Sequence, residues 1–176
     1  MRRKLTWSMM FAALLVISAR YATPLQATAA SGFVGQTIAM GTFGEINAFN
    51  QMVPPDFWKT LHASDVWLSL QKTKGDSDLY IQSNTWQPGG TTGWHSHPGH
   101  SLIIVTSGTL TNYESDDRRC RPQVYTAPAT FVDEGGDHVH MVRNETNAVA
   151  TGFAVQLIPA GATRRVDADQ PPNCQF

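Results

Sequence analysis

Residues 88–101 read PGGTTGWHSHPGHS, and about forty residues later residues 134–144 read EGGDHVHMVRN. These two windows hold five of the six histidines: His95, His97 and His100 in the first, His138 and His140 in the second. The sixth, His62, is isolated and reads as an ordinary surface or core residue. In an extended segment the side chains at i and i+2 share a face. His95 therefore converges with His97, and strand parity favours His138 beside His140. Two such pairs on β segments can meet across the inside of a barrel. Neutral imidazole is the commonest protein ligand for Zn, Fe, Cu, Ni and related ions. Glycines on both flanks permit tight turns and close backbone approach. The pattern predicts a divalent-metal site.

Working outward, the chain continues the same grammar of strand and turn. Candidate strands cover 36–43, 66–72, 78–87, 93–97, 101–106, 108–113, 130–133, 138–143 and 148–158. They are rich in Val, Ile, Thr, Tyr and Phe and are separated by Gly, Pro, Asp and Ser clusters. One short helix is predicted over Pro55–Ala63, with Pro54 and Pro55 as its start signal. Many short strands with little helix predict an all-β sandwich or barrel. The chain has 176 residues, 41% of them hydrophobic and 15% charged. That length suits one domain, and the composition supplies a core and excludes a solvating disordered chain. Trp58 and Trp67 read as core or barrel-mouth residues, and Trp94 as packing on the face opposite His95.

The N-terminus reads as an address. Arg2, Arg3 and Lys4 precede a largely apolar stretch, Trp7–Ala19, and Ala27-Thr28-Ala29 supplies a small-residue cleavage pattern. Residues 1–29 are thus expected to be a signal peptide, cut after Ala29 or Ala30, with an uncleaved membrane anchor as the alternative. The mature domain would be 30–176. The full chain carries 13 Lys+Arg against 14 Asp+Glu; without Arg2, Arg3, Lys4 and Arg20 the balance is 9 against 14, or −5. A mildly acidic body with no basic stripe argues against nucleic acid as a partner. Cys120 and Cys174 are the only cysteines. An even count in an exported chain favours one disulfide, with two free thiols as the alternative.

The two windows resemble the motifs of the cupin superfamily. Its first motif runs Gly, five residues, His-x-His, three or four residues, Glu, six residues, Gly, and Gly89, His95, His97 and Gly108 fall on that spacing. Its second motif ends His, three residues, Asn, as His140 and Asn144 do here. The run from Pro88 to Gly99, a downstream Val-His and a late Cys further resemble a group of exported bacterial single-domain cupins. The resemblance covers about residues 85–159 and implies a single double-stranded β-helix (jelly-roll) barrel. It also implies a metal held by His95, His97 and His140; the motif uses only the position of His140 in the second pair, which leaves His138 to point outward or cap the site.

One departure stands out. The carboxylate of the first motif is missing, and Ser101 stands where Glu would. A hydroxyl is a poor ligand for a divalent ion beside a carboxylate. Compensation could come from water, His138, His100, Glu134 or Asp137. His100 reads more simply as a pocket-rim or surface residue. Asn144 matches a structural position of the motif.

The resemblance implies a metal-dependent oxygenase or isomerase acting on a small molecule, with Fe, Mn, Ni, Cu or Zn as the ion. The alternative is a non-catalytic module that binds a small ligand or metal through an incomplete site. A periplasmic or secreted location, no membrane attachment after leader cleavage and a homodimer through sheet edges complete these expectations.

Overall fold

The computed structural model describes residues 28–53, Lys59 and 66–175. The helix expected over 55–63, Trp58, His62 and nearly all of the expected leader fall outside the described residues, Lys59 apart. No helix among the described residues is long and apolar enough to cross a membrane.

Twelve strands are described. They are β1 (Ser31–Phe43), β2 (Asn47–Met52), β3 (Trp67–Lys72), β4 (Ser77–Thr91), β5 (His95–Ser96) and β6 (Ser101–Ser107), then β7 (Thr109–Glu114), β8 (Gln123–Thr126), β9 (Thr130–Asp133), β10 (His140–Arg143), β11 (Ala150–Pro159) and β12 (Val166–Asp167). All pairings are antiparallel. One wall runs β1-β4-β11-β6-β9 and the other β8-β7-β10-β5-β12. They join where the end of β4 meets β10, at Thr91 and Arg143. The hairpin β2-β3 stands as a separate two-stranded sheet. The fold is therefore all-β, a nearly closed jelly-roll barrel.

Strand alternation decides what faces the interior. In β6, Ser101, Ile103 and Val105 are buried while Leu102 and Ile104 are exposed. In β9, Phe131 and Asp133 are buried while Thr130 and Val132 are exposed. The inward apolar set Trp86, Ile103, Val105, Leu110, Phe131, Val142, Ala150 and Ala154 forms one core. Full burial of a side chain such as Leu110 contributes roughly 1.5–3 kcal/mol. A second cluster, Trp94, Tyr113, Met141 and Cys174, is separate from it. Asn144 is wholly buried. Its Nδ2 donates to the carbonyls of Trp86, Gln87 and Ala148, and its Oδ1 accepts from the Thr146 amide and hydroxyl. It ties the β10–β11 turn to β4.

Three differences from the sequence reading have physical causes. The barrel sheet starts before residue 85, because β1 and the whole of β4 belong to it. The strands β2, β8 and β12 were not anticipated: β2 (NAFNQM) is amide-rich, β8 (QVYT) is only four residues long and β12 (VD) only two. Trp67 is neither core nor mouth; it lies 57% exposed on β3.

The disulfide joins Cys120 to Cys174, 54 residues apart. It fastens the C-terminal segment over the second cluster, where Cys174 packs with Trp94, Tyr113 and Met141.

Candidate metal centre

His95 lies in β5, His97 just after it, and His140 opens β10. β5 and β10 pair directly, with His140 opposite His95. Cross-strand pairing and the i, i+2 rule thus bring three rings to one spot. Their centroids are 4.7 Å (His95–His97), 4.5 Å (His95–His140) and 5.8 Å (His97–His140) apart. One nitrogen from each lies within 4.8 Å of the others, and all three residues are buried.

Each ring is held from behind at Nδ1. His95 Nδ1 meets the carbonyl of Gly93 at 2.8 Å, and His97 Nδ1 that of Arg164 at 2.6 Å. A carbonyl only accepts, so both rings carry their proton on Nδ1. His140 Nδ1 faces Asn112 Oδ1 at 3.3 Å, while Asn112 Nδ2 donates to Glu114 Oε1. That donation fixes the Asn112 amide with its oxygen toward His140 and sets the same tautomer there. All three Nε2 lone pairs are then free. Such outer contacts are how metal-binding imidazoles are oriented. His140 Nε2 is buried and has no hydrogen-bond partner.

Burial pushes His95 well below the ordinary imidazole value, with His140 and Arg165 nearby adding to the effect. Burial lowers His97 as well, and brings His140 down to about 4. The Asp133 carboxylate pulls the other way on His97 and His140, but desolvation outweighs it. The three imidazoles are neutral at pH 7, which is the form that ligates metal.

The site opens into a cavity of about 670 Å³ including its open mouth. Phe33, Trp86, Ile103, Phe131 and Val142 give it apolar walls, while Gln82, Asn84, Gln156, Arg164 and Arg165 supply polar groups. Arg164 Nη1 donates to Gln82 Oε1 at 2.6 Å, and Arg165 Nη2 to the Thr92 carbonyl at 2.7 Å. Asn84 Oδ1, Trp86 Nε1 and Gln156 Oε1 are buried without hydrogen-bond partners. Apolar walls with a few polar groups among them are the usual character of a small-molecule cavity.

The other sequence candidates fall in different places. Ser101 lines the cavity; its hydroxyl donates to Asp133 Oδ2 at 3.2 Å and accepts from Gln156 Nε2 at 3.2 Å. His100 is exposed and lines an outer groove instead, because Pro98-Gly99 breaks the strand before it. His138 does not pair with His140 by parity, because β10 begins only at His140 and residue 138 lies in the preceding turn. Its ring centroid is 6.4 Å from that of His140, and the half-buried ring groups with Glu114 and Asp116. Glu134 and Asp137 are exposed. Trp94 is 1% exposed and packs in the second cluster, away from the cavity lining.

The residue that sequence reasoning missed is Asp133. It is 2% exposed, lines the cavity and pairs with Ser101 across β6 and β9. Its Oδ2 lies 3.7 Å from His97 Nε2 and 3.7 Å from His140 Nε2. Its Oδ1 accepts from the Gly135 amide. Gly135 makes that turn with φ +73, and a Cβ there would collide with the backbone of Gly99 and His100. Gly135→Ala is therefore expected to destabilise the domain by about 2 kcal/mol or more. A urea midpoint equal to that of the wild type would contradict this.

No family model matches the chain, and no curated protein matches it. Among solved structures it is similar to a cupin-like protein from Thermotoga maritima at 17% identity, over 52% of this chain and 65% of that chain, with a TM-score of 0.45. That match spans just under two thirds of the other protein. A double-stranded β-helix protein from Klebsiella pneumoniae matches at 18% identity over 52% of this chain and 71% of that chain, TM-score 0.44. A cupin superfamily protein from Desulfitobacterium hafniense matches at 9% identity over 70% and 81%, TM-score 0.40. The two antiparallel walls, joined through β4 and β10, give this chain a double-stranded β-helix fold. Its interior holds a buried three-histidine group able to receive a metal, with Ser101 and Asp133 on the same cavity lining.

Proposed function

We propose that this protein is a metal-dependent enzyme acting on a small organic molecule, of the oxygenase or isomerase kind. The observation that carries the reading is the set of three Nε2 lone pairs, each left open by a donor contact at Nδ1. His95, His97 and His140 would hold a divalent ion. Such an ion supplies Lewis-acid polarisation of a substrate oxygen and, when redox-active, one-electron chemistry.

The chain's own groups do the rest. The walls of Phe33, Trp86, Ile103, Phe131 and Val142 bury an apolar body and exclude water. Arg164 and Gln82 form a hydrogen-bonded pair on the cavity lining, suited to a carboxylate, enolate or carbonyl. Asn84 Oδ1 and Gln156 Oε1 accept hydrogen bonds from the ligand, and Trp86 Nε1 donates one. His100, outside the cavity, takes no part in proton transfer.

The test is metal content of the untagged chain from residue 30 onward, made in an oxidising compartment, followed by turnover assays on small carbonyl and carboxylate compounds. About one transition ion per chain, with turnover dependent on it, is the expected result. Metal below roughly a tenth of an ion per chain after reconstitution would overturn the reading. Full metal without turnover on any compound would reduce the protein to a binding module.

A further inference from the structure

We infer that Asp133 is the anionic ligand of this site, replacing from the neighbouring strand the carboxylate that Ser101 lacks. The inference rests on the metal reading above and adds a fourth donor that the histidine pattern does not contain.

Three observations carry it. The first is position. Ser101 and Asp133 face each other across β6 and β9, so side chains from the two positions leave adjacent backbone sites on the same inward face. A carboxylate on either residue can enter the same volume.

The second is geometry. Asp133 Oδ2 stands 3.7 Å from the Nε2 atoms of both His97 and His140. Metal–donor bonds of about 2.0–2.2 Å place neighbouring donors of a tetrahedral or octahedral shell roughly 3.0–3.4 Å apart. The carboxylate oxygen is thus a few tenths of an ångström from ligand spacing to two imidazoles at once. At 3.7 Å it is too far for a direct hydrogen bond to either.

The third is the pattern of protons. With Nδ1 of His97 and His140 as donor, Nε2 of each presents a lone pair toward Asp133 Oδ2. Three electron-rich atoms converge in a buried pocket. That arrangement is repulsive until a cation or a donating water sits among them, and a cation satisfies all three at once.

Around them, Ser101 and Gly135 donate to the carboxylate and Gln156 donates to Ser101. The residue at the glutamate position is thus a positioning residue. It orients the ligand that has taken over.

The assignment also specifies the kind of ion. A carboxylate added to three imidazoles favours harder ions such as Mn²⁺ and Fe²⁺ more than it favours Cu²⁺ or Zn²⁺.

The test compares apo wild type and Asp133→Asn in competition titrations with Mn²⁺ and Zn²⁺, with near-ultraviolet circular dichroism as the fold control. Loss of an outer contact costs about 10- to 100-fold in affinity. Loss of a ligand is expected to exceed about 100-fold for Mn²⁺, with a smaller loss for Zn²⁺. Equal losses for both ions, or none, would overturn the inference. A companion variant, Asp133→Ser with Ser101→Glu, is expected to recover Mn²⁺ affinity by returning the carboxylate to the other side of the pair.

If the variants do not fold, a crystal structure of the zinc-loaded wild type decides. Asp133 Oδ2 about 2.0–2.2 Å from the ion confirms the ligand, and a separation beyond about 3.5 Å refutes it. Wild type that binds neither ion would instead sink the metal reading itself. Wild type that binds while Asp133→Asn is unaffected sinks only this inference.

Discussion

Alanine at His97 or His140 is expected to leave a folded chain that no longer gains stability from metal. In the wild type, an ion at about one hundred times its Kd stabilises the native state by about 2.7 kcal/mol, a rise in Tm of roughly 5–10 °C for a domain of this size. His140→Ala removes a buried Nε2 with no other partner and a ring that supplies one of three lone pairs. His97→Ala removes the ring tied to the Arg164 carbonyl. Neither ring belongs to the two apolar clusters that hold the barrel together. The cost to the apo fold should therefore stay within about 1–3 kcal/mol. The informative measurement is the difference in Tm with and without Zn²⁺ or Mn²⁺. A wild-type shift that vanishes in both variants is the expected outcome. A shift that survives in His140→Ala would place the ion elsewhere.

Loss of the disulfide is the second large effect. It closes a loop of 54 residues, which in the chain-entropy model is worth about 4 kcal/mol. Removal of a native bridge from a small domain costs 2–5 kcal/mol in practice. Cys174 is also 1% exposed and lies against Trp94, Tyr113 and Met141, so serine there loses packing as well. Cys174→Ser should fall below Cys120→Ser in stability by the packing contribution, and the double variant should match Cys174→Ser alone. Guanidinium unfolding of all three, with the reduced wild type alongside, would show this. A combined loss under about 0.5 kcal/mol would mean that the tail docks without its bridge.

The fold was legible because alternation is strict where it matters. The segments around Ile103, Phe131 and Ala154 each show inward and outward residues in turn, and glycine, proline and aspartate mark their ends. The three histidines were legible for the same reason, since His95 and His97 obey period two and His140 matches a motif position. His138 departs from parity and takes the outward alternative, because β10 begins only at His140 and the chain just after the Gly135-Gly136 turn is not yet extended. Asp133 escaped because its significance depends on a partner 32 residues away in β6. One local signal was present: in Thr130–Asp133 the aspartate shares parity with Phe131, so a strand with Phe131 inward buries Asp133 too. Glu134 and Asp137, the carboxylates that stand out in the second window, are exposed. Strand pairing, the one relation that a linear motif does not encode, decided the difference.

The contacts behind the three rings have a thermodynamic consequence. Gly93, Arg164 and Asn112 come from separate segments, and each pins one imidazole. The rotamer freedom of those rings, up to about 1 kcal/mol apiece, is surrendered when the chain folds. An arriving ion then meets a frame already set, and its capture orders little of the protein. Differences in affinity among ions therefore measure each ion's own taste for the donor set, three imidazoles and the Asp133 carboxylate, at these angles, with little contribution from the imidazoles adapting to suit it.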